Sequence, residues 1–373
     1  MKLLFVHKSM NMGGIEKSLL NLTNELVQDN EIDVLLLNDT FGTENFNNNV
    51  NFLESKKMLR VLNPKKSYSK INKSRLAIIK KVTTIFGVRA IMEKIFAKTK
   101  VVQGDYDVAI AFHGEDYVTC YQVANKIKAS KKYVFLHFDV SRVEIKKRVY
   151  KTYKKFDKII CVSNGCAEAF KTKYPLLADK VDFLYNLCDM QEVKLKADEF
   201  AVSYPKECLN IVSVSRLSEE KGHLRSLKVF KRLHDEGYKF CWHIVGDGDQ
   251  RSLVEEFIKQ NGMKEYVKLY GNQQNPYPYV KNADLFYLGS FHESFGIALI
   301  EAMALNLPVL TTNTISAKEI VGEKGFVCEN DEEGIACAIK TLLEDKLIIG
   351  EYKEMLKNYS FDKDEIIEKF YKL

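Results

Sequence analysis

Short apolar strands alternate with amphipathic helical segments along nearly the whole chain of 373 residues, and this alternation constrains the fold more than any other feature. Strands that are apolar throughout and separated by helices are typical of parallel sheets with both faces covered. The candidate strands are 2–7, 32–37, 106–112, 132–138, 158–163, 210–216, 239–246, 266–271, 283–289, 307–312 and 325–329.

The number of candidate strands is too high for one doubly wound sheet and fits two of them. We therefore predict an α/β protein of two Rossmann-like domains that face each other across a cleft. The polar segment 190–208, which contains Pro205, separates the two sets of strands. The predicted amino-terminal domain covers 1–192 and is joined by a carboxyl-terminal helix at 359–373, and the predicted carboxyl-terminal domain covers 193–358.

The two halves of the chain carry opposite charge. Residues 1–190 hold 32 lysines and arginines against 20 acidic residues, a net charge of +12, whereas residues 191–373 hold 24 against 30, a net charge of −6. The basic excess is concentrated in 64–100, with eleven basic side chains and one acid, and a second cluster lies at 146–155. Both segments carry aliphatic or aromatic residues between the charges, which suits an anionic membrane surface.

Two other interpretations of this charge stay open. The first is a solvated lysine-rich face, and the second is a surface for nucleic acid. No nucleic-acid-binding motif accompanies the charge, so the prediction names a membrane surface and no nucleic acid.

The eight cysteines are scattered and form no C-x-x-C pair, which favours buried thiols in a reducing compartment over a metal site. No run of about 18 apolar residues occurs, so no transmembrane helix is expected. The opening MKLLFVHKSMNMGG is interpreted as a first strand running into a glycine loop, not as a signal peptide. We expect a cytoplasmic protein, peripherally associated with the inner face of the cell membrane.

Glycine loops follow two of the strands. Gly13 and Gly14 stand where the first strand turns into its helix, and adjacent glycines permit positive φ and close approach of a ligand to a helix N-terminus. Gly246 and Gly248 flank Asp247 at a second strand end, where a nucleotide could lie. Neither loop is a G-x-G-x-x-G dinucleotide fingerprint, and a plain tight turn is the alternative for both.

Two cations follow the strand at 210–216. Arg216 stands at its tip and Lys221 lies five residues later. Two fixed cations at a strand end can clamp a diphosphate without a metal. An ordinary ion pair of Arg216 with Glu219 or Glu220 is the alternative.

The stretch GSFHESFGIALIEAMALNLPVLTT, residues 289–312, follows another strand. Ser294 is predicted to cap a helix that begins near Phe295, which would leave the N–H groups of Phe295 and Gly296 facing an anion. Glu301 lies on an otherwise apolar helix, so it needs a partner from the protein or from a ligand. A carboxylate is a good bidentate acceptor for a ribose diol.

This stretch resembles the E-x7-E signature of family 4 glycosyltransferases, retaining enzymes with the GT-B fold, and Glu293 and Glu301 are its two glutamates. Three other segments resemble the family as well. SVSRLSEEKG is similar to its G-R-L-x-x-x-K-G segment, IVGDGDQRSLVEEF to its G-x-G-x loop, and MNMGGIEKSLLNL to its amino-terminal glycine loop. The similarity covers essentially the whole chain and is densest from 210 to 330.

The resemblance implies a role for each matching residue of the second half. Arg216 and Lys221 would bind the donor's diphosphate and stabilise the leaving nucleoside diphosphate. Glu301 would hydrogen-bond the ribose hydroxyls. Glu293 and the backbone at 294–296 would contact the donor sugar.

The resemblance extends to the first half. It implies that the Gly13–Gly14 loop approaches the donor phosphates when the cleft closes. His137, in YVFLHFDVSR, lies where the family places a histidine beside the donor sugar. His113, in AIAFHGED, is the weaker candidate, and a purely structural role is the alternative for each histidine.

The sequence departs from the family pattern at three places. The segment TNTISAKEIVG retains Glu319 but carries Ile, Ser and Ala at 315–317, where a glycine pair is usual. Ser215 replaces the leading glycine of G-R-L, and Leu187 replaces the glycine after Asn186. These departures leave the predicted fold unchanged and make the donor harder to infer.

The resemblance implies a retaining transfer from a nucleotide-diphosphate sugar, with a UDP-sugar expected first and a GDP-sugar as the alternative. No D-x-D metal cluster occurs in a suitable context, so no metal or other cofactor is expected. The acceptor hydroxyl would attack from the front face while the leaving phosphate takes its proton. Because the amino-terminal half is the basic one, we expect a saccharide acceptor linked to a polyprenyl diphosphate, in surface polysaccharide or glycolipid assembly.

Two alternatives to a transferase stay open. A nucleotide-sugar epimerase or phosphorylase could share the architecture and the diphosphate clamp, and it would turn over the donor without an acceptor saccharide. A non-catalytic partner of a transferase could share the fold alone.

Overall fold

The computed structural model describes residues 1–10, 13–37, 43–53 and 104–373, so the basic segment 64–100 lies outside the described residues. The described chain divides into two units. The first comprises Met1–Val162, Phe170–Phe183 and Leu373, and the second comprises Ser163–Ala169 and Leu184–Lys372.

These units differ from the domains predicted as 1–192 and 193–358, because residues 184–192 and the carboxyl-terminal helix both fall in the second unit. The aromatic rings of Tyr185 and Phe361 pack against Phe295 of that unit, with centroids 5.8 and 6.2 Å away. The predicted boundaries themselves stay predictions.

The first unit contains a sheet of seven parallel strands in the order β3-β2-β1-β4-β5-β6-β7. The strands are β1 Lys2–His7, β2 Glu31–Leu36, β3 Val50–Leu53, β4 Asp105–Ala111, β5 Lys128–Leu136, β6 Lys158–Cys161 and β7 Val181–Phe183. Of these, β1, β2, β4 and β5 each contain a buried apolar run, as expected for a parallel sheet that is covered on both faces.

The second unit contains a sheet of six parallel strands in the order β10-β9-β8-β11-β12-β13. Its core includes the stacked rings of Phe230 and Trp242, whose centroids lie 4.4 Å apart. The strands are β8 Leu209–Val214, β9 Phe240–Val245, β10 Val267–Gly271, β11 Leu285–Leu288, β12 Val309–Thr312 and β13 Phe326–Cys328.

The helices are numbered along the described residues, and none of them is long and apolar enough to cross a membrane. Three short 3-10 helices lie at Pro175–Lys180, Glu219–Lys221 and Met263–Glu265. The α-helices are α1 Gly14–Leu26, α2 Tyr117–Asn125, α3 Lys147–Tyr153, α4 Asn164–Lys173, α5 Met190–Lys196, α6 His223–Asp235, α7 Arg251–Gln260, α8 Tyr277–Lys281, α9 Ile297–Ala304, α10 Ala317–Val321, α11 Glu332–Glu344, α12 Lys346–Leu356 and α13 Lys363–Lys372.

The predicted α/β class with two doubly wound sheets is confirmed. In each sheet the strand order reverses beside the first strand in sequence, which is β1 in one and β8 in the other. Ligands of such sheets bind beyond the carboxyl ends of the strands at this reversal. In the first sheet a ligand is therefore expected among the loops after β1 and β4, and in the second sheet among the loops after β8 and β11.

Candidate functional site

Three loops that leave the carboxyl ends of β8, β9 and β11 lie against one another in the second unit. Gly222, whose φ is 68°, would place a Cβ 2.3 Å from the carbonyl oxygen of Gly289. A Cβ on Gly246 would lie 1.9 Å from the carbonyl oxygen of Ser215. Only glycine fits at these two contacts, so the three loops are held backbone to backbone.

The side chains of Lys221 and Glu293 meet at this edge of the sheet. The Lys221 ammonium donates a hydrogen bond to Oε1 of Glu293, and the two side chains are only 16% and 12% exposed. Oγ of Ser290 lies 3.4 Å from the same carboxylate oxygen. The pair therefore presents a cation and an acid that are largely removed from water, where electrostatic interactions are stronger.

Arg216 lies on the same loop as Lys221 and is 67% exposed. Its guanidinium pairs with Glu220 at 2.7 Å, so the ion pair considered as the alternative is present. Exposed pairs of this kind are weak, which leaves Arg216 able to reorient towards a ligand. The Glu220 carbonyl accepts a hydrogen bond from the backbone N–H of Phe291 at 2.8 Å and thereby ties this loop to the one that carries Glu293.

Glu301 is 6% exposed on α9. Its Oε1 accepts a hydrogen bond from the Tyr277 hydroxyl at 3.0 Å. The protein thus supplies a partner for the carboxylate that the sequence placed on an apolar helix. A ribose diol bound here would share the carboxylate with Tyr277.

The helix that carries Glu301 begins later than predicted. α9 starts at Ile297, and its N-cap is Gly296, with a φ of 85° and no side-chain cap. The prediction that Ser294 caps a helix near Phe295 is wrong, because the left-handed turn at Gly296 separates Ser294 from the helix. The Ser294 carbonyl instead accepts a hydrogen bond from the Ser163 hydroxyl at 2.9 Å.

Phe295 is 2% exposed, so only its backbone could contact a donor. The buried hydroxyl of Ser316, one of the departures from the family pattern, donates to the carbonyl oxygens of Glu293 at 3.2 Å and of Phe295 at 3.4 Å. The residue that replaces a flexible glycine therefore fixes the loop that carries Glu293.

Glu319, the acid retained in the same segment, caps α4. Its two carboxylate oxygens accept hydrogen bonds from the backbone N–H groups of Asn164 at 2.7 Å and Gly165 at 3.0 Å. Such an acid satisfies free N–H groups and complements the helix dipole.

Two buried side chains behind the site were not predicted from the sequence. His223 is 3% exposed, its Nε2 lies 3.2 Å from Oγ of Ser215, and burial together with Lys221 lowers its pKa to about 4. Arg225 is 8% exposed and donates to the Gly289 carbonyl at 2.9 Å. The sequence signal that could have identified them is the presence of two polar residues, His223 and Arg225, in the first turn of the helix that follows the Lys221 loop.

The turn at Gly246 is held by backbone hydrogen bonds. The Leu217 N–H donates to the carbonyl of Asp247 at 3.0 Å, and the Asp247 carboxylate pairs with Arg251 at 3.1 Å. A tight turn accounts for these residues, and nucleotide binding at Gly246 stays a prediction.

In the first unit, three histidines lie at the carboxyl ends of adjacent strands: His7 on β1, His113 after β4 and His137 after β5. The rings of His7 and His113 lie 5.3 Å apart. Burial, followed by the neighbouring histidines, lowers the pKa of His137 to about 3. Burial and His7 lower the pKa of His113 to about 4. Both rings are therefore neutral at pH 7 and can hydrogen-bond a sugar hydroxyl.

The Gly13–Gly14 loop does not use a positive φ. Gly13 is the N-cap of α1 with an extended φ of −169°, and Gly14 is the first helical residue. A Cβ at 13 would lie 2.7 Å from Oε2 of Glu16, the end of a flexible side chain that can move away, so this contact alone does not require glycine. The other oxygen of Glu16 lies 3.7 Å from Nε2 of His7, so this acid links the loop to the histidines.

The basic cluster at 146–155 contains both buried apolar residues and exposed lysines. Val149 and Tyr153 of α3 are buried in the first unit, so these apolar residues between its charges are not free to enter a membrane. The exposed lysines form a cluster that we call the α3 lysines: Lys146, Lys147, Lys151, Lys154 and Lys155.

Among the residues that the structure describes, no group of three or more histidine, cysteine, aspartate or glutamate side chains could hold a metal ion. At the carboxyl edge of the second sheet, Lys221 and Glu293 are in contact, and Arg216 lies on the loop that leads to Lys221. Such a set of cations and acids can bind a charged diphosphate and a diol.

Solved glycosyltransferases share this architecture. TarM of Staphylococcus aureus, a mutant form in complex with fondaparinux, α-GlcNAc-glycerol and UDP, has a TM-score of 0.70 at 13% identity, covering 100% of this chain and 99% of that one. HepE of Anabaena, solved with UDP and glucose, has a TM-score of 0.68 at 18% identity, covering 100% and 98%. The fold is the GT-B fold, and it defines the class of the protein.

Two family models match consecutive parts of the chain. The model described as Glycosyltransferase Family 4 matches residues 12–192, and the model described as Glycosyl transferases group 1 matches residues 196–363. The chain belongs to glycosyltransferase family 4, and the predicted family and GT-B fold are confirmed.

Curated relatives are glycosyltransferases as well. An N-acetylgalactosamine-N,N'-diacetylbacillosaminyl-diphospho-undecaprenol 4-alpha-N-acetylgalactosaminyltransferase of Campylobacter jejuni is 32% identical over 220 residues, which cover 57% of this chain and 59% of the relative. CapM, a capsular polysaccharide biosynthesis glycosyltransferase of Staphylococcus aureus, is 30% identical over 160 residues, covering 41% and 39%. The chain thus spans less than two thirds of the length of these relatives.

Proposed function

We propose that this glycosyltransferase moves a sugar from a nucleoside-diphosphate donor to a saccharide acceptor carried on a polyprenyl diphosphate, with retention at the anomeric carbon. The observation that carries the proposal is the largely buried contact of Lys221 with Glu293, beside the strand-order reversal of the second sheet. A cation and an acid at this position suit a substrate that combines a diphosphate with a sugar.

The donor diphosphate binds the two cations of the loop after β8. Lys221 contacts it directly, and Arg216 leaves its exposed pair with Glu220 to join it. As the sugar–phosphate bond breaks, negative charge grows on the β-phosphate. Cations that are already in place stabilise this charge better than mobile water does.

The rest of the donor lies along the same edge. Glu301 accepts hydrogen bonds from the ribose hydroxyls, and Glu293 and the backbone at 294–296 contact the donor sugar. His137 lies in the first unit and not on this edge, and the family resemblance assigns it to the donor sugar, where its neutral imidazole can hydrogen-bond a hydroxyl. Support for Glu301 comes from its position on α9, the helix that follows the loop carrying Glu293, where a carboxylate can accept hydrogen bonds from a diol.

The transfer step breaks the bond between the anomeric carbon and the β-phosphate oxygen and forms a bond from that carbon to the acceptor oxygen. The acceptor hydroxyl approaches on the face that the phosphate leaves, and its proton passes to the departing phosphate oxygen. Lys221 balances the charge on that phosphate until the proton arrives. No step needs a carboxylate nucleophile.

The donor base is proposed to be uracil, with guanine as the alternative. Support comes from HepE, whose structures contain UDP and UDP-glucose. The acceptor assignment draws on the Campylobacter relative, whose name specifies a diphospho-undecaprenol saccharide. We propose that the protein meets such an acceptor at the cytoplasmic face of the membrane through the α3 lysines and the basic segment 64–100.

A thermal-shift panel tests the donor. UDP, GDP and ADP are compared with their sugar conjugates and with inorganic diphosphate, because a ligand of the native state raises the melting temperature. UDP and a UDP-sugar should raise it more than GDP and ADP. Equal shifts for every nucleotide, or none beyond that of diphosphate, would contradict the assignment of the base.

Product analysis tests the reaction. The protein is incubated with the UDP-sugar that gives the largest shift, in the presence and absence of a polyprenyl-diphosphate-linked saccharide. We expect UDP release and a longer lipid-linked glycan only when the acceptor is present. A changed sugar nucleotide in the absence of the acceptor would instead indicate an epimerase.

A further inference from the structure

Two thiols of the second unit are in direct contact at a distance from the candidate donor site. The sulfur atoms of Cys208 and Cys241 lie 2.8 Å apart, although the residues are 33 positions apart in sequence. Both side chains are partly exposed, whereas four of the other cysteines are buried.

The sheet register places these two cysteines together. β8 and β9 are parallel neighbours, and Asn210 pairs with Cys241. Cys208 precedes Asn210 by two residues, and residues two apart on a strand share a face, so both thiols lie on the same face of the sheet. They lie at the start of β8 and β9, whereas Lys221 follows the far end of β8.

The thiol pair borders an open cavity of about 790 Å³. Cys241 lines it together with Tyr204, His243 and Tyr270. The ring of Tyr204 stacks on His243 with centroids 3.8 Å apart, and it extends the cavity wall from the segment that precedes β8. A small solute can therefore reach Cys241 from solvent.

We propose that Cys208 and Cys241 form a redox-active dithiol that closes to an intramolecular disulfide when a peroxide enters this cavity. The proposal rests on the contact of the two sulfur atoms and on the access that the cavity gives to one of them.

The two cysteines and one molecule of hydrogen peroxide supply every atom and electron that the reaction needs. The Cys241 thiolate attacks one oxygen of hydrogen peroxide, the O–O bond breaks, and a sulfenic acid and one water form. Cys208 then attacks the sulfenic sulfur, the S–S bond forms, and the second oxygen leaves as water. The two thiols lose two electrons and two protons in total. Cys241 lines the cavity and meets the oxidant first, so Cys208 is the thiol that reacts second. Burial, followed by the hydrogen bond with Cys241, raises the pKa of Cys208, which is consistent with this order.

Closure requires a small movement. Sulfur atoms in a disulfide lie about 2.05 Å apart, so the two must approach each other by roughly 0.8 Å. Cys208 lies just outside β8, which begins at Leu209, and it can move without breaking the strand. The closed bond would tie the segment before β8 to β9 and constrain the unfolded chain, so it should raise the melting temperature by about 5–10 °C.

The test counts thiols by mass. The reduced protein, denatured and alkylated, takes up eight alkyl groups, one for each cysteine. After treatment of the native protein with hydrogen peroxide, we expect two fewer alkyl groups and a proteolytic fragment in which the Cys208 and Cys241 peptides are joined. Reduction with dithiothreitol should restore all eight.

Three variants give the controls. Cys208→Ser and Cys241→Ser should each abolish the loss of two thiols, whereas Cys337→Ser, which removes an exposed cysteine, should retain it. Retention of all eight alkyl groups after oxidation of the wild-type chain would overturn the proposal, as would a joined fragment that contains any other cysteine pair. The peptide map of the wild-type chain decides the question even if a variant folds poorly, and none of these measurements depends on glycosyl transfer.

Discussion

Lys221 donates a hydrogen bond to the Glu293 carboxylate across 72 positions of sequence, and both side chains are largely buried. The two residues follow β8 and β11, which are neighbours in the sheet although β9 and β10 lie between them in the chain. The pair therefore exists only because the strand order reverses at β8, and it stands where a doubly wound sheet binds its ligand.

Replacing Lys221 by alanine should leave Glu293 buried without its cation. We expect the free energy of unfolding to fall by about 3 kcal/mol, measured by urea denaturation, because an uncompensated buried charge is costly. Affinity for UDP, measured by calorimetry, should fall at least about tenfold, which corresponds to roughly 1.4 kcal/mol.

The double variant Lys221→Ala with Glu293→Gln distinguishes a pair from two independent residues. A neutral amide at 293 no longer needs a cation, so the double variant should be more stable than the sum of the single effects predicts, by at least about 1 kcal/mol. Strictly additive losses would mean that the hydrogen bond contributes nothing.

Glu301→Ala should show whether binding of the ribose can be separated from binding of the diphosphate. We expect it to abolish binding of UDP while inorganic diphosphate still binds, because Glu301 is assigned to the ribose and Lys221 to the phosphates. Calorimetric titration with both ligands measures this. Equal losses for UDP and diphosphate would place Glu301 outside the ribose site.

The matched control for Glu301 is Tyr277→Phe, which removes only the hydroxyl that donates to the carboxylate. This change should cost about 1 kcal/mol of stability, the usual contribution of one hydrogen bond. Because it leaves the carboxylate in place, binding of UDP should be retained.

The stability of the second unit should depend on pH through His223. Burial lowers the pKa of His223 to about 4, so the folded state keeps the ring neutral while the unfolded chain binds a proton below about pH 6.5. The contribution is present in full above pH 6.5 and is lost as the pH falls towards 4, up to about 3 kcal/mol. His223→Gln should make the melting temperature fall less steeply between pH 6.5 and 4, with the remaining slope coming from groups such as His243, whose pKa burial also lowers to about 4. An unchanged slope would contradict the assignment.

Arg225 should stabilise the loop that leads to Glu293. Its guanidinium donates to the carbonyls of Gly289 and Asn330, each at 2.9 Å, and lies 3.9 Å from the ring centroid of Phe291. Arg225→Lys keeps the charge but cannot make both hydrogen bonds in the same planar geometry, so it should cost about 2 kcal/mol by urea denaturation. A cost below about 0.5 kcal/mol, the range of ordinary surface changes, would show that the charge alone is sufficient.

The sequence predicted both sheets because the inner strands contain buried apolar runs, such as Tyr133–Leu136 of β5, that are covered on both faces. It missed β3 and β7, which have four and three residues and include the polar Asn51 and Asp182. Such short interrupted runs carry too little pattern to be recognised. The start of α9 was misplaced because it depends on the left-handed turn at Gly296. That turn is a property of the backbone, and several neighbouring residues were equally plausible places for the helix to begin.

The sequence names candidate site residues, which stay predictions, but it could not predict the contacts that they make. Lys221 and Glu293 meet through the order of strands in the sheet, and local pattern does not encode that order. The hydrogen-bond donor to Glu301 could not be predicted from the sequence either, since Tyr277 lies on the short helix α8, 24 positions away. Nothing in the sequence was a reason to assign a role to Ser316. Its role in holding the Glu293 loop is apparent only from the hydrogen bonds that it makes in the structure.

The α3 lysines should bind anionic membranes by charge alone. Val149 and Tyr153 are buried in the protein and cannot insert, and each exposed lysine near an anionic surface contributes about 1 kcal/mol. Replacing Lys146, Lys147 and Lys151 by glutamine should therefore weaken sedimentation with phosphatidylglycerol vesicles, more at about 50 mM than at about 500 mM salt, because salt screens the attraction. The same substitution of the exposed Lys259, Lys264 and Lys268 of the second unit removes equal charge and should leave sedimentation unchanged. Equal losses from both triple variants would mean that net charge drives binding rather than this surface.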